Sequence, residues 1–85
     1  MSYEVRWTET SLEQMGKLQK NIAQRIVNKI EGVKSNPFLY AEKLTGIDLF
    51  KLRIGDYRVI MSIESGKMII FVLEVGHRKK IYRSY

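Results

Sequence analysis

The chain contains no cysteine and only one histidine, one proline and one tryptophan. Without thiols there is no disulfide and no thiolate ligand set, and a single imidazole leaves the common zinc ligand combinations unfilled. No uncharged apolar stretch approaches the ~20 residues that cross a bilayer. No signal-peptide pattern opens the sequence either, so a soluble cytoplasmic domain is expected. Paired carboxylates, a serine–histidine–aspartate set and a glycine-rich phosphate loop are all absent from the pattern. Chemistry carried out by such a chain has to rest mainly on cations.

Acidic charge is the minority sign, with nine Asp/Glu against fifteen Lys/Arg and a net charge of +6. The excess is concentrated. Residues 1–50 carry seven basic and six acidic groups, whereas residues 51–85 carry eight basic and three acidic groups. An imbalance of that kind suits a polyanion or an acidic protein partner. Its densest part is Gly76-His77-Arg78-Lys79-Lys80-Ile81-Tyr82-Arg83-Ser84-Tyr85, which follows the apolar run Met68–Val75. Guanidinium and ammonium groups bind phosphate, phenol rings stack on bases and an imidazole moves protons near neutral pH.

The 85 residues are expected to form one domain, 1–85, without repeats or linkers. Tyr3, Val5 and Trp7 alternate with Glu4 and Arg6, which predicts a half-buried strand over Ser2–Trp7. From Leu12 the apolar period lengthens: Met15, Leu18, Ile22, Ile26, Ile30 and Val33 follow at helical spacing. Thr10 or Ser11 is the expected cap, and Gly16 and Asn21 point to two helices, the second capped by Asn21. Asn36-Pro37 ends the helical segment. Phe50, Leu52 and Ile54, then Tyr57, Val59, Met61 and Ile63, alternate as strands around the Gly55-Asp56 turn. Ser65-Gly66-Lys67 turns into Met68–Val75, read as a central strand covered on both sides. The predicted class is α+β: an N-terminal strand, a helical hairpin and an antiparallel sheet meander, with the helices on one sheet face.

Lys51 and Arg53 leave one strand face about 7 Å apart, close to the spacing of phosphates along a nucleic-acid strand. Arg58 joins them if the hairpin register allows, and the register is open at this stage. Arg78 follows Gly76-His77, where glycine permits close approach of a ligand and an always-charged guanidinium can stabilise charge on a phosphate. His77 is a second candidate for proton transfer. Lys79, Lys80 and Arg83 are expected RNA contacts, and Tyr82 an expected stacking surface. Glu74 is the acid nearest this cluster, and Tyr85 is expected to pack against the sheet.

Asn36-Pro37, Lys43-Leu44-Thr45-Gly46, Leu52-Arg53-Ile54-Gly55-Asp56-Tyr57-Arg58-Val59-Ile60 and Val75-Gly76-His77-Arg78-Lys79-Lys80-Ile81-Tyr82 resemble the RelE toxin family, from Tyr3 to Tyr82. The resemblance implies a toxin of a type II toxin–antitoxin system with no cofactor or metal, partnered by a RelB-like antitoxin. It implies action on the ribosome and its messenger RNA, cutting A-site codons by attack of a ribose 2′-hydroxyl on the neighbouring phosphate. By position, Lys51 and Arg53 match the basic strand pair, Arg58 the arginine at the scissile phosphate, Arg78 the one assisting the leaving oxygen and Tyr82 the stacking tyrosine. Met61 departs from a tyrosine common in the family, and His77 stands where some relatives carry lysine. Either His77 or Arg78 is therefore a candidate acid. ParE-like toxins, which poison DNA gyrase, share the fold and are the alternative.

Overall fold

The structure, a computed structural model, describes residues 2–81. Strand β1 (Glu4–Trp7) leads into helices α1 (Glu9–Gly16), α2 (Lys20–Val33) and the single-turn α3 (Pro37–Tyr40). A two-residue strand β2 (Glu42–Lys43) precedes β3 (Phe50–Ile54), β4 (Tyr57–Glu64) and β5 (Ile69–His77), and the short helix α4 (Arg78–Ile81) follows. One sheet of order β1-β5-β4-β3-β2 results. The β3–β4–β5 meander is antiparallel as the pattern predicts, but β1 runs parallel to β5, so the sheet is mixed. The long connection that parallel neighbours require is the chain from α1 to β4, which crosses by the helices to the far edge and returns through the meander.

Alternation sorts the sheet into two faces. Val5 and Trp7 of β1, Leu52 and Ile54 of β3, and Val59 and Met61 of β4 turn toward α2, whose Ile26, Ile30 and Val33 complete the core. Strand β5 would lose this phase midway, since Val72 and Val75 are three residues apart and both buried. A bulge resolves it: Ile60 pairs with Glu74 while Met61 pairs with Val72, leaving Leu73 as the extra residue. On the other side Ile69, Phe71 and Leu73 are only half-buried, so β5 is central in the sheet but not covered on both faces. Its apolar run reflects the re-phasing as much as burial.

The bulge is held by α1. Thr8 is the N-cap, accepting at 3.1 Å from the Ser11 N–H and donating its hydroxyl to the Val72 and Leu73 carbonyls at 3.1 Å. Gln14 Oε1 accepts from the Val75 N–H at 2.6 Å. The cap thus lies just upstream of Thr10 and Ser11, because Thr8 alone can serve the helix and the sheet together. Gln19, not Asn21, caps α2, and it does so without a side-chain bond. Helix α2 ends at Val33, and Pro37 opens α3 at a position where its missing N–H costs nothing. Replacing Thr8 by alanine is expected to destabilise the fold by about 1–2 kcal/mol. Serine at the same position retains most of the stability, and thermal unfolding followed by circular dichroism measures both.

Among the described residues no helix is long and apolar enough to cross a membrane.

A cationic sheet face as candidate active site

The hairpin register settles where the cations go. Arg53 pairs directly with Arg58, and Lys51 pairs with Ile60 one step along the same face. Lys51, Arg53 and Arg58 therefore share the sheet face opposite α2, a like-charged cross-strand pair at its centre. Two cations placed opposite each other destabilise a sheet. Their presence makes sense where an anion is held between them.

The three differ in exposure. Arg53 is exposed, whereas Arg58 is buried at 3%. Arg58 Nη1 donates to the carbonyls of Gly55 at 3.0 Å and Tyr57 at 2.9 Å. Those carbonyls belong to the β3–β4 turn, in which Gly55 adopts a left-handed φ of 60°. Folding of the turn therefore orients the guanidinium before any substrate arrives. Lys51 Nζ lies 3.4 Å from Glu42 Oε2, and its side chain is 13% exposed against 69% for Glu42. Glu42 was not legible as a site residue, because β2 is two residues long and carries no periodic signal; only the pairing of Glu42 with Lys51 brings it here.

Arg78 reaches the same end of the sheet through the backbone. Its N–H donates at 2.8 Å to the carbonyl of Asp56, the residue between Gly55 and Tyr57. The start of α4 is thereby tied to the turn that holds Arg58. Glu74 pairs with Ile60 and lies on the cationic face, while Gly76 pairs with Arg58.

His77 goes elsewhere. It pairs with Tyr57 and so turns toward the helix side, where its ring meets Tyr57 edge-on, centroids 5.6 Å apart. Its Nδ1 accepts from the Lys79 N–H at 3.3 Å, and it lines a cleft of about 450 Å³ with Gln14, Lys17 and Lys80. The sheet thus separates His77 from Lys51, Arg53 and Arg58. Lys79 and Lys80 are exposed on α4. Tyr82, Arg83 and Tyr85 lie outside the described residues. Met61 is fully buried on the α2 side, so the departure from tyrosine there alters the core and not the cationic face. Among the described residues no group of three or more His, Asp or Glu is placed to hold a metal ion.

A basic cluster on one face of a mixed five-stranded sheet, with helices on the other, defines a small cationic α+β protein suited to a polyanion. Comparison with known proteins gives the family. Residues 5–82 match the family described as the ParE toxin of the type II toxin–antitoxin system parDE. A putative RelE-like toxin protein of Escherichia coli is 34% identical over 83 residues, covering 94% of this chain and 87% of that one. The mRNA interferase toxin RelE of Escherichia coli K12 is 30% identical with the same coverage. The RelBE2 toxin–antitoxin complex of Mycobacterium tuberculosis superposes with a TM-score of 0.86 at 26% identity, covering 92% of this chain and 100% of that one. The chain belongs to the RelE family of toxins, within the group that also contains ParE. The family description carries the ParE name, but both of the relatives above bear RelE names.

Proposed function

We propose that this protein is a messenger-RNA interferase, the toxin of a type II toxin–antitoxin pair, acting in the cytoplasm on the ribosome-bound message. The observation that carries the reading is the convergence of Lys51, Arg53 and Arg58 on one sheet face, with Arg58 held by its own turn. In this reading Lys51, acting in its neutral amine form, accepts the proton of the ribose 2′-hydroxyl, whose oxygen attacks the adjacent phosphorus. The P–O5′ bond breaks as the O2′–P bond forms, giving a 2′,3′-cyclic phosphate and a 5′-hydroxyl. Arg53 and Arg58 hold the phosphate and offset the charge that accumulates on its oxygens. Arg78 neutralises the leaving 5′ oxygen, which takes its proton from water. His77, facing the other side, is assigned no step. Tyr82, beyond the described residues, is proposed to stack on a codon base, and Lys79, Lys80 and Arg83 to contact the RNA backbone.

Among the described residues this face carries cations and no histidine, since His77 turns to the other side. Catalysis therefore depends on positioning of the RNA, which a ribosomal A site supplies. An acidic RelB-like antitoxin suits the same charge and is the proposed partner; the Mycobacterium tuberculosis relative is a toxin–antitoxin complex.

A purified translation reaction with messenger 5′ ends mapped by primer extension tests this reading. New ends inside the A-site codon are expected. Lys51→Ala is expected to lower the cleavage rate on the order of 10²-fold with less change in ribosome affinity. Equal losses in both would reduce Lys51 to a phosphate contact. Intact message beside gyrase-dependent DNA breaks would instead identify a ParE-like poison.

A further inference from the structure

The cationic face does not end at Arg53. Strand β2 pairs with β3 only at Lys51 and Phe50, so among the described residues no strand lies beside the β3 edge from Leu52 to Ile54. Alongside that edge runs a groove of about 480 Å³, lined by Arg25, Asn28 and Lys29 of α2 and by Arg53, Ile54 and Gly55. Residues 25, 28 and 29 stand one turn apart on α2, next to the stripe of Ile26, Ile30 and Val33 that enters the core. Burial of that stripe fixes the rotation of the helix and delivers the three polar side chains to the sheet edge.

The groove is rich in positive charge. Among the described residues no carboxylate forms an ion pair with Arg25, Lys29 or Arg53. Arg25 is seated over the turn: a Cβ on Gly55 would lie 2.9 Å from its Nη2. The absence of a side chain at Gly55 thus serves both the left-handed turn and the approach of the guanidinium. Lys29 Nζ lies 5.6 Å from the centre of the Tyr40 ring, an attraction that leaves its ammonium protons available to an anion. Asn28 adds an amide donor. Arg53 belongs to both places, because it lines the groove and also stands opposite Arg58 on the cationic face.

We propose that this groove is a second phosphate subsite, in which Arg25, Lys29 and Asn28 hold an RNA phosphodiester that lies beyond the one at Arg53 and Arg58. The inference rests on the interferase reading, since it extends the same RNA path around the sheet edge. The phosphodiester belongs either to the message or to ribosomal RNA, and both present the same oxygens. Its role is binding, not bond-breaking: the reacting atoms sit on the sheet face, and α2 lies behind the edge.

The test uses the full chain carrying Arg25→Gln and Lys29→Gln together, with Lys29→Gln alone as a milder surface change. Affinity is measured over a range of salt for an oligoribonucleotide made uncleavable by 2′-O-methylation, and for ribosomes with and without message. The double variant is expected to bind about 10-fold more weakly near physiological salt, with the salt slope reduced by about one per lost contact. Its melting temperature and its cleavage rate at saturating ribosomes stay as in the parent. Loss on the oligoribonucleotide and on programmed ribosomes assigns the phosphodiester to the message. Loss on ribosomes regardless of message assigns it to ribosomal RNA. Unchanged affinity and slope on all three probes, or a loss confined to an acidic antitoxin peptide, overturns the proposal. Because the uncleavable probe reports binding alone, a parent protein that binds it but leaves ribosome-bound message intact refutes the interferase reading and not the groove.

Discussion

Replacing Arg58 with alanine is expected to lower single-turnover cleavage of ribosome-bound message on the order of 10²–10³-fold. Three features place the largest catalytic effect here. Arg58 is the most buried of the clustered cations. A guanidinium withdrawn from water acts on a phosphate with less screening than an exposed one. Its Nη1 is already committed to the Gly55 and Tyr57 carbonyls, so little reorganisation is left for the moment of reaction. The same bonds add a structural cost. Alanine withdraws the donor from both carbonyls, for a loss of about 1–3 kcal/mol of stability. Rate and stability are separated by measuring both in Arg58→Ala and Arg58→Lys. Lysine keeps the charge but cannot reproduce the fork, so it is expected to recover part of the rate. A stable Arg58→Ala variant with the parent's rate would make Arg58 a strut for the turn and nothing more.

The largest effect on stability is expected at Ile30. This residue is fully buried in the last turn of α2, beside Ile26 and Val33, against the strands that carry the cationic face. Alanine removes three carbon atoms from a close-packed interior and leaves a cavity, at a cost of about 2–5 kcal/mol. A domain this small has roughly 5–10 kcal/mol in total. The substitution therefore takes a large share of the stability, and the melting temperature is expected to fall by about 10–30 °C. Ile30→Val is expected to cost only about 0.5–1.5 kcal/mol. Urea unfolding of the three proteins gives the series. An alanine variant within about 1 kcal/mol of the parent would mean that α2 closes over the gap, contrary to the packing described.

Much of the fold was legible because its signals are local. The alternation of Tyr3, Val5 and Trp7, the helical spacing from Leu12 to Val33 and the hairpin around Gly55-Asp56 each follow from side-chain direction along a single element. Thr8 was missed as the cap because its preference over Thr10 depends on carbonyls of β5, sixty-four and sixty-five residues away. The bulge at Leu73 was missed for a related reason. An apolar run reads the same whether it is buried on both sides or shifts phase midway, and only the pairing with Ile60 and Met61 distinguishes the two. Strand β2 and helix α3, two and four residues long, are too short for any periodicity to appear.

The site divides the same way. Residue types and spacing nominated Lys51, Arg53, Arg58 and Arg78, since paired cations on a strand and an arginine after a glycine can be read directly. Histidine chemistry nominated His77 equally well. Which of these side chains act together is a matter of which sheet face each one takes, and a strand changes face with every residue. The register that sets Arg53 opposite Arg58 and His77 opposite Tyr57 therefore had to come from the assembled sheet. So did Glu42 beside Lys51, and Arg25 and Lys29 beside the β3 edge, which are neighbours in space but distant along the chain. The sequence by itself determined the longer elements, the apolar stripe and the sign of the charge, because these depend on each residue and its near neighbours. Only the tertiary structure decided where the charges converge, because strand pairing and helix docking set that through contacts no local pattern encodes.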